Sequence, residues 1–217
     1  MPGKTLVVGL AATVILGGCG GGKGGTTEQA AQPAAPCAAA TPHTHPNGGY
    51  KREKLRLNPK KTYELVFQTN CGSFTVTLNP KLAPNTTASL VSLAKRGFFT
   101  DTFFHRIVPG FVIQGGDPTG EGSGGPGYHT VDKPPRGTKY THGVVAMAKA
   151  ASEPAGTAGS QFFIVTAANA QLPAEYAVVG KVTSGLRVVD KIGKLGDPAT
   201  EQPTEPVVIE RVRVVIS

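Results

Sequence analysis

The sequence predicts a mainly β-stranded domain with two short helices, closed as a barrel or stacked as a sandwich. Three observations lead there. Gly and Pro together exceed a fifth of the 217 residues, which argues against a long-helix bundle or coiled coil. With 39% apolar and 17% charged residues, the chain has enough apolar mass for a packed core and too little charge to be disordered throughout. Short apolar runs, several of period two, recur from residue 63 to residue 215, separated by turn residues.

The elements follow in order. Tyr63, Leu65 and Phe67 alternate with Glu64, Val66 and Gln68; Asn70-Cys71-Gly72 turns the chain; Phe74, Val76 and Leu78 then alternate with Thr75 and Thr77. That is a hairpin pattern. Pro84 can open a helix with an apolar stripe of Leu90, Leu93 and Ala94, basic Lys95 and Arg96 at its end, and Gly97 as its stop. Strands are expected over 102–108 and 111–114, joined by Pro109-Gly110, and a Gly-rich loop over 115–127. Further strands fit 143–148, 162–166, 177–182 and 207–215. A second helix fits 184–192, with Ser184 as its cap and Leu186, Val189 and Ile192 three apart. Periodicity alone does not choose between barrel and sandwich.

Residues 53–217 form this domain; what precedes them reads differently. Lys4 is followed by an apolar run over 5–16, too short for a bilayer span of about 20 residues, and then by small residues, the order of a signal peptide. Leu16-Gly17-Gly18-Cys19 resembles the lipobox of bacterial lipoproteins. That resemblance implies a signal peptide over 1–18, lipidation of Cys19, and an extracytoplasmic protein anchored to the bacterial cell membrane; plain secretion is the alternative. Residues 19–52 are rich in Gly, Ala, Thr and Pro and read as a flexible tether. His43 and His45 lie in it without a third ligand, so no metal site is expected. Cys37 and Cys71 then remain, and an oxidising compartment permits a disulfide between them, two free thiols being the alternative. The net charge of +8 invites a nucleic-acid reading, yet no stripe of interleaved basic and aromatic residues, zinc-finger spacing or helix-turn-helix pattern is present, and export removes the usual nucleic-acid partners. Attraction to anionic lipid or wall polymer is the milder inference.

Gly120 to Gly125 formally match G-x-G-x-x-G, but Pro126-Gly127 follow where a helix should open, so a surface loop is expected. The chain lacks G-x-x-x-x-G-K-[ST], H-E-x-x-H and G-x-S-x-G, and nothing in the spacing of Asp101, His105 and Ser160 supports a triad. One pair of segments stands out: Phe104-His105-Arg106-Ile107-Val108-Pro109-Gly110-Phe111-Val112-Ile113-Gln114-Gly115-Gly116-Asp117, and later Gly159-Ser160-Gln161-Phe162-Phe163-Ile164. With Ala146-Met147-Ala148 and Gly180-Lys181-Val182 in the same order, they resemble the signature stretches of cyclophilin-type peptidyl-prolyl isomerases, from about residue 62 to the C-terminus. The resemblance implies a closed eight-stranded antiparallel barrel capped by two helices, acting on proline-containing polypeptides; a monomer without metal or cofactor is expected.

Carried over position by position, the resemblance makes Arg106 the catalytic arginine with Gln114 beside it. Phe111, Val112 and Phe163 become the proline pocket, Leu172 a pocket leucine, and Gln114 and Gln161 the polar rim. Ala148 and Lys149 fall where the family has a substrate-binding Ala-Asn pair. Three departures stand out: Lys149 replaces that asparagine, Gln171 stands where many members have tryptophan, and Tyr176 where many have histidine, on the substrate-binding side. The second implies weakened cyclosporin affinity.

These residue types suit the chemistry. An X-Pro bond turns slowly because its C–N bond has partial double-bond character and a barrier of roughly 18–20 kcal/mol. A turnover of about 10–1,000 per second requires the site to remove on the order of 4–7 kcal/mol, which needs no covalent intermediate. Twisting breaks resonance and turns the proline nitrogen into an acceptor, so a guanidinium that reaches it bonds the transition state preferentially. Such a charge-assisted bond contributes about 1.5–3 kcal/mol, and an apolar socket gripping the ring supplies the rest. Phe104, Ile113, Phe162 and Ile164 alternate with the site positions and belong to the core. No proton is transferred, so His105 is expected to be a hydrogen-bonded structural histidine. The alternative is a barrel that holds proline segments with little turnover, as a binding module or chaperone.

Overall fold

The computed structural model describes residues 36–217; the leader expected over 1–18, the lipidation expected at Cys19 and the first part of the expected tether lie outside the described residues. Among the described residues no helix is long and apolar enough to cross a membrane.

The expected hairpin is β1 (Tyr63–Thr69) and β2 (Gly72–Leu78), paired antiparallel from Thr69 opposite Gly72 to Glu64 opposite Thr77. Its alternation sends Leu65, Phe67, Phe74 and Val76 inward, where Phe67 and Phe74 stack with ring centroids 4.8 Å apart. Helix α1 (Pro84–Lys95) follows, with Pro84 in its first turn. No side chain of the preceding residue caps it. Instead Asp132, brought in from a distant loop, accepts from Thr86 N and Thr86 Oγ1, both at 2.7 Å, and from Asn85 Nδ2 at 2.9 Å. A buried carboxylate thereby complements the positive end of the helix dipole.

The remaining strands are β3 (Thr102–Phe103), β4 (Arg106–Val108), β5 (Val112–Gly115), β6 (Thr130–Val131), β7 (Val144–Met147), β8 (Thr157–Ala158), β9 (Phe162–Val165), β10 (Val178–Ser184) and β11 (Val208–Ile216). Nine of the eleven strands form one curled antiparallel sheet in the order β3-β11-β1-β2-β10-β7-β9-β5-β4, while β6 and β8 pair separately. This is a curled half-barrel whose two end strands, β3 and β4, are consecutive in the chain and separated only by Phe104 and His105. Over 102–108 one strand was expected and two short ones are found. Phe104 N, just after β3, donates to Val207 O, and Ile107 N, within β4, donates to Glu201 O, so this stretch is also tied to the segment before β11.

The second helix, α2 (Leu186–Ile192), starts two residues later than expected. Ser184 ends β10 and does not cap it; Gly185 holds that position at φ 74°, where any β-carbon would collide with Ser73 O. Only glycine meets both demands.

The chain before Glu53 also differs from a plain tether. Cys37 and Cys71 are disulfide-bonded, and residues 38–50 run along the domain as a strap. Ala38 N donates to Asn70 O, His43 N to Asp101 O, His45 N to Pro118 O, and His45 Nε2 meets Thr100 O at 2.9 Å. Tyr50 packs edge-on to Phe98 under Arg96, and Leu55 and Leu57 pack against the core. Composition misses this because the strap is held chiefly through its backbone groups, which every residue carries.

Candidate active site

Registry assembles the site. Arg106 on β4 lies opposite Gln114 on β5, Gln114 opposite Phe163 on β9, and Phe163 opposite Ala146 on β7. Directly opposed residues share a sheet face, so these four side chains form one row on the outer surface. The next row is Val108, Val112 and Val165. Alternate positions point the other way: Phe104, Ile113, Phe162 and Ile164 are all in the main core.

The outer row is half polar and half apolar. Arg106 donates from Nε to Glu201 Oε2 at 2.6 Å and from Nη1 to Gln114 Oε1 at 3.4 Å. Gln114 Nε2 donates to Gln161 Oε1 at 3.1 Å, and Gln161 Nε2 donates to Gly124 O at 3.0 Å and Asp117 Oδ2 at 3.3 Å. Arg106 Nη2 has no bond among the described residues, so one donor edge of the guanidinium is unspent. On the apolar side, Val112, Tyr140, Ala146, Phe163 and Val165 form a second cluster separate from the core, against which Phe111, Ala148, Leu172 and Tyr176 pack. Tyr176 meets Phe163 edge-on at 5.5 Å, while Tyr140 donates its hydroxyl to Tyr176 O at 2.8 Å and accepts from Tyr176 N at 3.0 Å.

A groove of about 530 Å³ adjoins this row at Gln114, Ala148, Lys149 and Gln161. Lys149 does not reach into open space. Its side chain is only 3% exposed, with Nζ 3.2 Å from Glu175 Oε2, donating to Ala150 O and Glu153 O, and 5.7 Å from the centre of the Tyr176 ring. Gln171 is exposed and held at φ 51°.

Asp117 organises the loop between β5 and β6. It is 1% exposed, and it accepts from the backbone N–H groups of Thr119, Gly122 and Gly124 and from the Thr119 hydroxyl. Burial pushes its pKa up, but those donors outweigh it and hold the carboxyl below its ordinary value. His105 corrects an expectation. Both ring nitrogens are buried without a hydrogen-bond partner among the described residues, so it is not the bonded structural histidine foreseen. Burial holds its imidazole below the ordinary value, with Asp117 opposing and Arg106 adding to the shift. Ser160 donates its hydroxyl to Gly116 O and takes no part in a triad.

Among the described residues, no group of three or more His, Cys, Asp or Glu is placed to hold a metal. The sequence reading brought Arg106, Gln114, Gln161, Phe163 and Val112 to one place, and passed over Glu201 and Tyr140. Neither carried a local signal: Glu201 lies 95 residues beyond Arg106.

A family model for the cyclophilin type peptidyl-prolyl cis-trans isomerases matches residues 64–214. The chain belongs to that family. Peptidyl-prolyl cis-trans isomerase-like 1 of Aspergillus fumigatus is 40% identical over 156 residues, covering 70% of this chain and 95% of the relative. The peptidyl-prolyl cis-trans isomerase of Helicobacter pylori is 39% identical over 155 residues, covering 65% and 93%. Among solved structures, a cyclophilin-type isomerase of Cryptosporidium parvum, crystallised in the presence of the dipeptide Ala-Pro, superposes with a TM-score of 0.64 at 30% identity, covering 70% of this chain and 98% of that one. This chain is therefore a cyclophilin-type peptidyl-prolyl isomerase. The strap and its Cys37 lie outside the matched residues.

Proposed function

We propose that this cyclophilin turns X-Pro bonds in extracytoplasmic proteins by seating the proline ring on Phe111, Val112, Phe163 and Leu172 while Arg106 bonds the proline nitrogen as it pyramidalises. The observation that carries the reading is the single cross-strand row of Arg106, Gln114 and Phe163, with Arg106 Nη2 unspent. Glu201 and Gln114 hold two edges of the guanidinium, which limits its rotamers before substrate arrives. The bond gains strength only as resonance is lost, so it lowers the barrier instead of tightening ground-state binding.

The Glu201 carboxylate also favours a second reading, in which a partly neutralised Arg106 leaves a proline-segment binder with little turnover. Isomerisation and binding measured together separate the two. A rate that falls in Arg106→Ala while peptide binding persists supports the enzyme mechanism; a wild-type rate no higher than that of Arg106→Ala, with binding intact, supports the binding module.

Export supplies the setting. The Cys37–Cys71 disulfide fits an oxidising compartment, and we read Cys19 as the lipid-bearing residue that keeps the domain at the membrane. Mass analysis of mature protein made in a bacterial host tests this: an acylated N-terminal cysteine supports it, and an unmodified residue at any other cleavage point refutes it.

A further inference from the structure

One wall of the groove beside Gln161 comes from outside the family-matched residues 64–214. Asn47, on the strap, lines it together with Gly124, Gly125, Lys149 and Gln161. The strap pairs with the Gly-rich loop through three successive bonds: Gly125 N donates to Asn47 Oδ1 at 3.0 Å, Gly48 N to Gly125 O at 2.9 Å, and Tyr50 N to Pro126 O at 3.1 Å. On its other side the same loop receives Gln161 Nε2 at Gly124 O. The loop is clamped between the strap and a side chain of the active-site row.

The clamp needs glycine on both sides. A β-carbon at Gly127 would lie 3.2 Å from Gly48 Cα and from Gly49 N, and Gly48 and Gly49 themselves sit at φ 75° and 80°. The strap's far end is fixed by the Cys37–Cys71 disulfide. Asn47, exposed and lining the groove, spends its Oδ1 on the loop, while its Nδ2 has no bond among the described residues.

We propose that the strap is a specificity element of this site: Asn47 Nδ2 donates to a main-chain carbonyl of a polypeptide lying in the groove beyond the proline pocket, and the Cys37–Cys71 bridge holds it in place. Peptide carbonyls are the acceptors that an extended substrate offers at every residue. Of the Arg106–Gln114–Phe163 row only Gln114 lines this groove, so a short peptide seated at Arg106 and Phe163 need not meet the strap. The inference rests on the reading of that row as a proline-peptide site.

The test uses the mature chain and two substrates, a blocked Ala-Pro dipeptide and the same core extended by three residues on each side. With the dipeptide, wild type, Asn47→Ala, Asn47→Asp and the double variant Cys37→Ala/Cys71→Ala are expected to share kcat/KM within about twofold, because none touches the row. With the extended peptide, all three variants are expected to lose about fivefold, through KM with kcat unchanged, as one neutral hydrogen bond implies. Asn47→Asp keeps an acceptor for Gly125 N, so its loss reports the donor and not the clamp. In the double variant, hydrogen exchange at the Gly48 and Tyr50 amides is expected to accelerate. Equal responses to short and long peptide, or a wild-type KM in Asn47→Asp, overturns the proposal. Arg106→Ala, run in parallel, is expected to lose rate on both substrates; if it matches wild type, the isomerase mechanism fails, whereas a missing length dependence alone removes only the strap's role.

Discussion

Replacing Arg106 by alanine separates what the residue does for the fold from what it does for the reaction. Its side chain is 36% exposed and that of its partner Glu201 43%, so the ion pair is a surface pair that contributes at most about 1 kcal/mol to stability. In the proposed mechanism, the bond to the twisted proline nitrogen is charge-assisted and contributes about 1.5–3 kcal/mol to the transition state alone. At 1.36 kcal/mol per decade, kcat is expected to fall between about 13-fold and 160-fold, with KM within about twofold and little change in melting temperature. Arg106→Lys retains charge but not the fork that bonds Glu201 and Gln114 together, so it is expected to recover only part of the loss. Exchange spectroscopy on an Ala-Pro peptide gives kcat and KM without a coupling enzyme. If Arg106→Ala kept kcat within threefold while KM rose by an order of magnitude, Arg106 would be binding ground and transition states alike, and the proposed mechanism would be wrong.

Three further outcomes follow from the same geometry. Glu201→Gln leaves Arg106 charged but weakens its strongest tether, so kcat should drop about threefold with KM unchanged; a change in KM alone would mean that Glu201 meets substrate rather than positioning the arginine. Removing the Cys37–Cys71 bridge, whose cysteines are 34 residues apart in sequence, releases a loop whose closure is worth about 4 kcal/mol, and thermal unfolding of the double alanine variant should begin well below wild type; a shift equivalent to less than about 1 kcal/mol would show that the strap stays docked without its staple. Acid should destabilise the domain in two steps. Burial holds His105 below its ordinary value, so as pH falls below about 6.5 the unfolded chain takes up that proton first and stability is lost until the lowered folded value is passed. Asp117 is held below its own ordinary value by its N–H donors in spite of burial, so its contribution is present above about 3.9 and is lost as pH drops through the folded value. Urea midpoints across pH for wild type and His105→Leu check the first step, which must shrink in the variant.

Where the sequence reading worked, the signal was local. Alternation in 63–68 and 74–78 predicted both strands of the hairpin and which side chains would be buried, because a pleat sends successive residues to opposite faces whatever lies beyond them. The same rule separated Phe162 and Ile164 from Phe163, and Ile113 from Gln114, before any pairing was known. Where it failed, one residue's environment was supplied by another far along the chain. Ser184 looked like a cap until Ser73 O came close enough to require glycine at 185. His105 looked hydrogen-bonded in principle, but only packing shows that nothing reaches its ring. Residues 38–50 looked like tether because their composition is that of one, and composition is blind to backbone bonds.

The linear chain by itself determined the mainly β character, the inward and outward faces of the principal strands, and, through the run from Phe104 to Asp117, the family. Each of these is written in residue type and short-range spacing. Folding alone decided that strand 102–108 splits in two, that Glu201 grips Arg106, that Tyr140 braces Tyr176, and that a disulfide-tied strap walls the groove. Those arrangements join residues tens of positions apart through directional bonds of a few ångströms, and separation along a chain carries no information about proximity at that scale.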